Sequence, residues 1–186
     1  MKKYELTEET VTVSGKTLHR IKAVRDFGSV KAGEFGGYIE KEENLSHFGE
    51  AYVYDNAYVF SNAKVFGNAE VYGNANVSGE ARVFSDAKVS GNAEVYGNAN
   101  VSGEASVFSN AKVYGKAEVY GDAEVYGNAN VSGEARVFSN AKVYGDAEVS
   151  GDAKVSGNAK VYGKAEVSGN AKVFGNAEVY GNANVS

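Results

Sequence analysis

The chain has 186 residues and a formal net charge of -5, and its 19 basic and 24 acidic side chains are scattered along its length. A charge distribution of that kind lacks the basic stripe of a nucleic-acid-binding protein, and no window approaches the roughly 18 apolar residues of a membrane helix. The N-terminus also lacks the apolar core of a signal peptide, so we expect a soluble, cytoplasmic protein that binds neither nucleic acid nor membrane. Without cysteine, it has neither disulfides nor thiolate chemistry.

Residues 1–50 have no sequence period and are predicted to form an N-terminal β cap. Val11-Thr12-Val13 and the stretch 17–24 flank Ser14-Gly15-Lys16, a pattern typical of a β-hairpin with a glycine-containing turn. The repeat array that follows would otherwise expose unpaired backbone groups and apolar side chains at its first coil. We therefore expect residues 1–50 to cover that end.

From Ala51 to Ser186 the chain is an unbroken array of hexapeptides. Alanine recurs every six residues as far as Ala183, and valine takes the third place of every hexad from Val53 to Val185. Alternation within Ala-x-Val puts alanine and valine on one face and the mostly polar residue between them on the other. The fifth and sixth places, commonly Gly-Asn or Gly-Asp, tolerate left-handed backbone conformations and are predicted to form corners.

Three such strands and three corners make an 18-residue triangular coil. We therefore predict an all-β fold, a single-stranded three-sided parallel β-helix in which residues 51–186 form about 7.5 coils. Alanine and valine suit so narrow an interior, because a small and a medium side chain from each wall fill the triangle. Each coil would bury its apolar face only by stacking on its neighbours.

The hexad resembles the hexapeptide-repeat superfamily of left-handed parallel β-helices, in which a small residue follows an aliphatic one four places on, as Ala57 follows Val53. The left hand is implied by this resemblance only, since general crossover rules favour the opposite hand. The segment containing Val24-Arg25-Asp26-Phe27 and Gly36-Gly37-Tyr38-Ile39 is similar to the N-terminal region of bacterial and phage hexapeptide-repeat proteins classed as acyltransferases. The resemblance thus implies an acyltransferase-like alternative for the function.

Histidine is the residue on which that alternative depends. Acyltransferases of the superfamily use a histidine as general base, and carbonic anhydrases of the same fold bind zinc through three histidines. This chain has only His19 and His47, both before the repeats. We therefore expect no metal and no cofactor, and a catalytic site would have to lie between subunits and use His19 or His47. The hexad frame, extended backward, puts His47 at a valine place, which favours a capping role.

One edge of the predicted prism is rich in aromatic residues. The fourth place of every third hexad holds Tyr54, Tyr72, Ser90, Phe108, Tyr126, Tyr144, Tyr162 and Tyr180, whereas the next edge is mainly serine. This aromatic column could bind carbohydrate, contact another chain, or serve only to pack successive coils together. The sixth places beside it, from Asn56 to Asn128, are predicted to form hydrogen bonds along the axis.

The larger repeat favours a scaffold over a dedicated site. Gly-Asn-Ala-Asn-Val-Ser-Gly-Glu-Ala begins at Gly73, Gly97 and Gly127, and because neither interval is a multiple of 18 the copies fall on different walls. The chain stops partway through a hexad at Ser186, so we expect either a truncated or engineered chain or a last coil covered by another chain. The leading hypothesis is a non-enzymatic structural or interaction scaffold that self-associates or binds a protein partner. The alternatives are the acyltransferase-like enzyme and a carbohydrate-binding or phage-related surface protein.

Overall fold

The structure, a computed structural model, describes residues 2–186, and these residues form β-strands joined by tight turns. The N-terminal region contains β1 (Tyr4–Val13), β2 (Lys16–Ala23), β3 (Phe35–Ile39) and one turn of 3-10 helix (Glu42–Asn44). The strands of the repeat array are β4 Tyr52–Val53, β5 Tyr58–Val59, β6 Lys64–Val65, β7 Glu70–Val71, β8 Asn76–Val77, β9 Arg82–Val83, β10 Lys88–Val89, β11 Glu94–Val95, β12 Asn100–Val101, β13 Ser106–Val107, β14 Lys112–Val113, β15 Glu118–Gly121, β16 Glu124–Val125, β17 Asn130–Val131, β18 Arg136–Ser139, β19 Lys142–Val143, β20 Glu148–Val149, β21 Lys154–Val155, β22 Lys160–Val161, β23 Glu166–Val167, β24 Lys172–Val173, β25 Glu178–Val179 and β26 Asn184–Val185.

The strands of the array form three parallel sheets, which are the three walls of a prism. Each strand pairs with the strand three places later, so that Val53 lies beside Val71 and Val59 beside Val77. The sheets have the orders β4-β7-β10-β13-β16-β19-β22-β25, β5-β8-β11-β14-β17-β20-β23-β26 and β6-β9-β12-β15-β18-β21-β24, and β1-β2-β3 extends the second sheet. The predicted three-sided parallel β-helix with 18-residue coils is confirmed. We name the edges first, second and third after the sheet that precedes each, beginning with the β4 sheet.

The interior of the prism consists of the alanine and valine of each hexad. From Ala51 to Val167 these side chains are at most 1% exposed, whereas the residue between them faces outward. The corners also follow the prediction, because the fifth place adopts positive φ whether it is glycine, as at Gly97 (φ 71), or serine, as at Ser85 (φ 61). Glycine is favoured because successive coils approach closely there, and a Cβ on Gly67 would lie 2.9 Å from the amide nitrogen of Ser85.

The solenoid path begins before Ala51, in an irregular coil within the segment predicted as a cap. Tyr38 of β3 pairs in parallel with Tyr58, and Leu45 pairs with Val65. Both pairs are 20 residues apart, so this coil holds two residues more than the regular ones. The backward extension of the hexad frame was therefore wrong for His47, since Leu45 lies beside Val65 in its place. Counting this coil, the column has about eight turns.

Backbone amides at three places of each hexad donate toward the C-terminal end of the column. Tyr52 N donates to Ala69 O at 3.1 Å and Tyr54 N to Val71 O at 2.8 Å, and the pattern recurs along the array. The carbonyl groups at the first, third and fifth places of the first coil therefore point toward the N-terminal region. Two buried side chains donate to them: Lys3 Nζ to Ala51 O, and Asn44 Nδ2 to Ala63 O at 2.9 Å. The N-terminal region thus covers an acceptor-rich end with donors, as buried carbonyl groups require.

Candidate functional site

The predicted aromatic column lies on the first edge, and most of it is a continuous stack. Phe108, Tyr126, Tyr144, Tyr162 and Tyr180 follow one another with ring centroids 4.8 to 5.3 Å apart and planes within 12° of parallel. These separations exceed the 3.5 to 4.0 Å of carbon atoms in contact, so the rings must be offset, the geometry that aromatic pairs prefer. We call these five residues the five-ring column.

The N-terminal part of this edge departs from the stack. Tyr54 packs edge-on against Tyr52, with ring centroids 5.1 Å apart. Ser90, which is only 9% exposed, separates Tyr72 from the five-ring column. The sequence therefore places all of these residues on one edge, but the structure brings only five of them together.

Charged side chains run beside the five-ring column. Lys142 pairs with Glu124 at 3.0 Å and Lys160 pairs with Glu178 at 2.9 Å, each across one coil. The Tyr162 hydroxyl donates to Glu178 at 3.3 Å. The hydrogen bond from Lys160 lowers the pKa of Glu178, and partial burial raises the pKa of Tyr126. The column therefore presents neutral phenol groups between neutralised pairs of charges.

The amide ladder predicted from Asn56 to Asn128 on the first edge is confirmed from Asn74 onward, whereas no side-chain hydrogen bond joins Asn56 to Asn74. Asn74 donates to Asn92, Asn92 to Asn110 and Asn110 to Asn128, at 3.1 to 3.3 Å. The last donor, Asn128, reaches the carboxylate of Asp146 at 2.8 Å. Every bond in this ladder donates toward the C-terminal end and the final acceptor is an anion, which strengthens the terminal bond.

His47 lies at the mouth of the column with both ring nitrogens directed at protein groups. Its Nδ1 accepts the backbone amide of Lys3 at 3.4 Å, so Nε2 carries the proton, and Nε2 lies 3.5 Å from a carboxylate oxygen of Glu42. The ring stacks on Tyr4 with centroids 4.3 Å apart. A general base needs an accessible lone pair, and Nδ1 already uses its own. This geometry is that of a capping residue.

His19 lies on β2, with different partners from those of His47. Its Nδ1 is 3.1 Å from the carbonyl oxygen of Thr7, and because a carbonyl only accepts, the imidazole donates there. Nε2 then keeps its lone pair. Within residues 2–186 no group of three or more histidine, aspartate or glutamate side chains is arranged to hold a metal ion.

An open groove of about 620 Å³ runs along the first wall. Four carboxylates line it, those of Glu50, Glu70, Asp86 and Glu104, and Lys88 is the one cation among its lining residues. Lys88 pairs with Glu70 at 3.4 Å, so the groove is acidic overall.

A second set of stacked rings lies on the third edge and was not predicted from the sequence. Phe66 stacks on Phe84 with centroids 4.9 Å apart, and Tyr120 stacks on Phe138 with centroids 5.0 Å apart. The same 18-residue interval that revealed the first column also connects these residues.

No α-helix that could cross a membrane occurs in the part of the chain that the structure describes.

A scan against protein-family models and a search of curated proteins both give no match to this chain. The assignment of the fold as a parallel β-solenoid therefore rests on the strand pairing of the structure.

Proposed function

We propose that this protein is a non-enzymatic cytoplasmic scaffold, a stiff column that holds side chains at fixed intervals and associates with further chains. The observation that carries this proposal is the unbroken pairing from β4 to β26, in which every coil keeps valine beside valine. Such a column transmits position along its length because each coil is fixed by its neighbours. By its resemblance to hexapeptide-repeat proteins the helix would be left-handed.

Self-association through the last coil is the second part of the proposal. Residues 169–186 expose apolar groups, with Phe174 at 68% and Tyr180 at 59% exposed, and Val179 and Val185 half-buried. Within residues 2–186 no carbonyl group receives the backbone amides of Lys172 and Asn176. A partner for this surface must bring carbonyl acceptors together with an apolar face, as the end of another β-sheet does.

Sedimentation velocity over a range of protein concentrations tests this association. We expect the 186-residue chain to form dimers or larger species at micromolar concentrations, and the paired substitution Val179→Lys and Val185→Lys to leave it monomeric. Val24→Lys is the matched control, because Val24 is also a half-exposed valine (44%) but lies in the N-terminal region. A wild-type chain that stays monomeric at every concentration would contradict the proposal.

The acyltransferase-like alternative has weaker support at His47, whose Nδ1 lone pair accepts the Lys3 amide, whereas His19 donates through Nδ1 and keeps its Nε2 lone pair. Calorimetry with acetyl-coenzyme A would revive it if binding were observed and then lost in His47→Ala or His19→Ala.

Carbohydrate binding at the five-ring column is supported by its half-exposed rings. Binding of soluble glycans that is lost in the double variant Tyr126→Ser and Tyr144→Ser would favour this alternative. Because the rings stack on one another, only part of each face is open to a sugar.

A further inference from the structure

The aromatic residues of the third edge form two stacked pairs with one ring missing between them. Phe66 and Phe84 form the first pair, with planes 1° from parallel, and Tyr120 and Phe138 form the second, with planes 4° from parallel. Ser102 occupies the same place of the hexad in the intervening coil. Its amide donates to Val119 O at 3.0 Å, so the backbone continues through the gap without interruption.

The repeat itself sets the size of this gap. Phe84 and Tyr120 are two coils apart, which puts their rings about 10 Å from each other along the axis. A planar ring halfway between them would lie as far from each neighbour as the 4.9 and 5.0 Å that separate the stacked pairs. The gap above Ser102 therefore has the thickness of one aromatic ring, with an aromatic side chain on each side.

The acidic residues of the third edge favour a cationic ligand over an anionic one. Asp86, Glu104 and Asp122 occupy the sixth place of three successive hexads on this edge, one carboxylate in each coil. All three are exposed, and none forms an ion pair within residues 2–186. On the third wall Arg82 precedes Phe84, and Glu118 pairs with Arg136 at 3.1 Å. Lys88, which lines the same groove as Asp86 and Glu104, pairs with Glu70 at 3.4 Å. Carboxylates one coil apart repel each other, and a cation placed among them relieves that repulsion.

We propose that the Ser102 gap binds one planar aromatic cation, which inserts its ring between Phe84 and Tyr120 and directs its charge toward the three carboxylates. Stacking on two rings and the attraction of a cation to aromatic faces act together in this position. The proposal concerns a binding site and does not depend on the scaffold function.

The third edge contains its own comparison site. Ser156 lies between Phe138 and Phe174 and forms a gap of the same length. The sixth places beside it are Asn140, Asn158 and Asn176, which carry no charge. Both gaps are thus bounded by aromatic rings, but the sixth-place residues are acidic at the Ser102 gap and uncharged at the Ser156 gap. The third wall beside Ser156 also carries Arg136, Lys154 and Lys172, which disfavour a cation there.

The 1-methylquinolinium ion and quinoline, a neutral molecule of similar shape at pH 8, are suitable probes. In a titration of the 186-residue chain at low salt, followed by backbone amide NMR signals, we expect saturable 1:1 binding of the cation with shifts at Ser102 and its neighbours. Quinoline should bind there at least fivefold more weakly. Equal affinity for the two probes at the Ser102 gap, or cation-induced shifts confined to the five-ring column, would overturn the proposal.

Substitutions distinguish cation binding in the Ser102 gap from binding elsewhere on the surface. Ser102→Tyr supplies the missing ring and should weaken cation binding at least tenfold, whereas Ser102→Ala leaves the gap open and should change affinity less than twofold. Ser156→Tyr makes the same change at the gap without carboxylates and should leave cation binding intact. Tyr120→Ser removes one wall and should weaken binding at least fivefold, with retained folding verified by circular dichroism. Unchanged affinity in Ser102→Tyr would refute the site.

Discussion

The side-chain ammonium group of Lys3 donates a hydrogen bond to the carbonyl oxygen of Ala51, and both residues are completely buried. The same nitrogen lies 5.0 Å from the centroid of the Phe27 ring. A buried cation is costly unless it is paired, and here carbonyl oxygens and an aromatic face take the place of a carboxylate. Lys3 therefore closes the carbonyl-bearing end of the column at the expense of a buried charge.

The burial of Lys3 predicts an unusual pH dependence. Burial lowers its pKa to about 8, whereas an unfolded lysine keeps its proton up to about pH 10.4. Since the unfolded chain binds more protons between these values, the free energy of unfolding should rise with pH from about 8 to 9.5. Urea unfolding at several pH values should show this slope in the wild type and a smaller slope in Lys3→Met. Equal slopes would contradict the assignment.

Asn44 is predicted to be the most sensitive polar residue of the N-terminal region. Its buried amide donates to Ser61 O at 3.1 Å and to Ala63 O at 2.9 Å, and its oxygen accepts from Lys41 N. Asn44→Ala leaves buried carbonyl groups unpaired and should lower the free energy of unfolding by about 1–3 kcal/mol. Asn62→Ala, an exposed position, should change it by less than about 0.5 kcal/mol. Denaturant unfolding of both variants measures the difference.

The five-ring column should stabilise the array through ring contacts. Tyr144 stacks on Tyr126 and Tyr162, with centroids 4.9 Å away in each case. Tyr144→Ser breaks two contacts of about 0.5–1.5 kcal/mol each, in addition to the lost burial. Tyr72→Ser is the control, because Tyr72 stacks on no ring in residues 2–186. In thermal unfolding, Tyr144→Ser should have a lower Tm than Tyr72→Ser. A higher Tm for Tyr144→Ser would show that ring stacking does not stabilise the array.

The amide ladder should make a small contribution to the free energy of unfolding, and this contribution should depend on an unbroken series of hydrogen bonds. Asn110 accepts from Asn92 and donates to Asn128, so Asn110→Ala interrupts two hydrogen bonds. Because all three side chains are exposed, we expect a loss of about 0.5–1 kcal/mol. Asn140→Ala removes an exposed asparagine from the third edge and should leave the free energy of unfolding unchanged. Hydrogen exchange of the side-chain amides provides an independent check, since ladder members should exchange more slowly than Asn140.

The regular part of the fold could be predicted from residue spacing, and in the N-terminal region the β1–β2 hairpin with its turn at Ser14-Gly15 is confirmed, whereas the rest of that region could not be predicted. Ala51 and Val53 repeat without interruption, so the register of every later coil follows from the first. The segment before Ala51 has no period, and the two extra residues between Leu45 and Val65 became visible only through strand pairing. Lys3 shows the same limit, because nothing in its local sequence indicates that it meets Ala51.

The candidate sites were predicted only as columns. Spacing alone places Tyr126 above Phe108, but it does not reveal that Tyr54 turns toward Tyr52 instead of joining the stack. That choice depends on side-chain packing against the N-terminal region, which a repeat pattern does not encode. The stacked pairs of the third edge were accessible to the same spacing argument and were missed because only two of the three edges were compared.

Because each valine of the array pairs with the valine 18 residues later, hexads can be lost or gained during evolution without disturbing the interior. Loss or gain of a single hexad keeps the alanine and valine interior intact, yet it turns all the following chain by a third of a turn. Every downstream column then moves to a neighbouring edge. The nonapeptide copies that begin at Gly73, Gly97 and Gly127 are offset in this way. Replication slippage would therefore rearrange the outer columns of this molecule while its alanine and valine interior stays the same, so the surface can diversify without loss of the core.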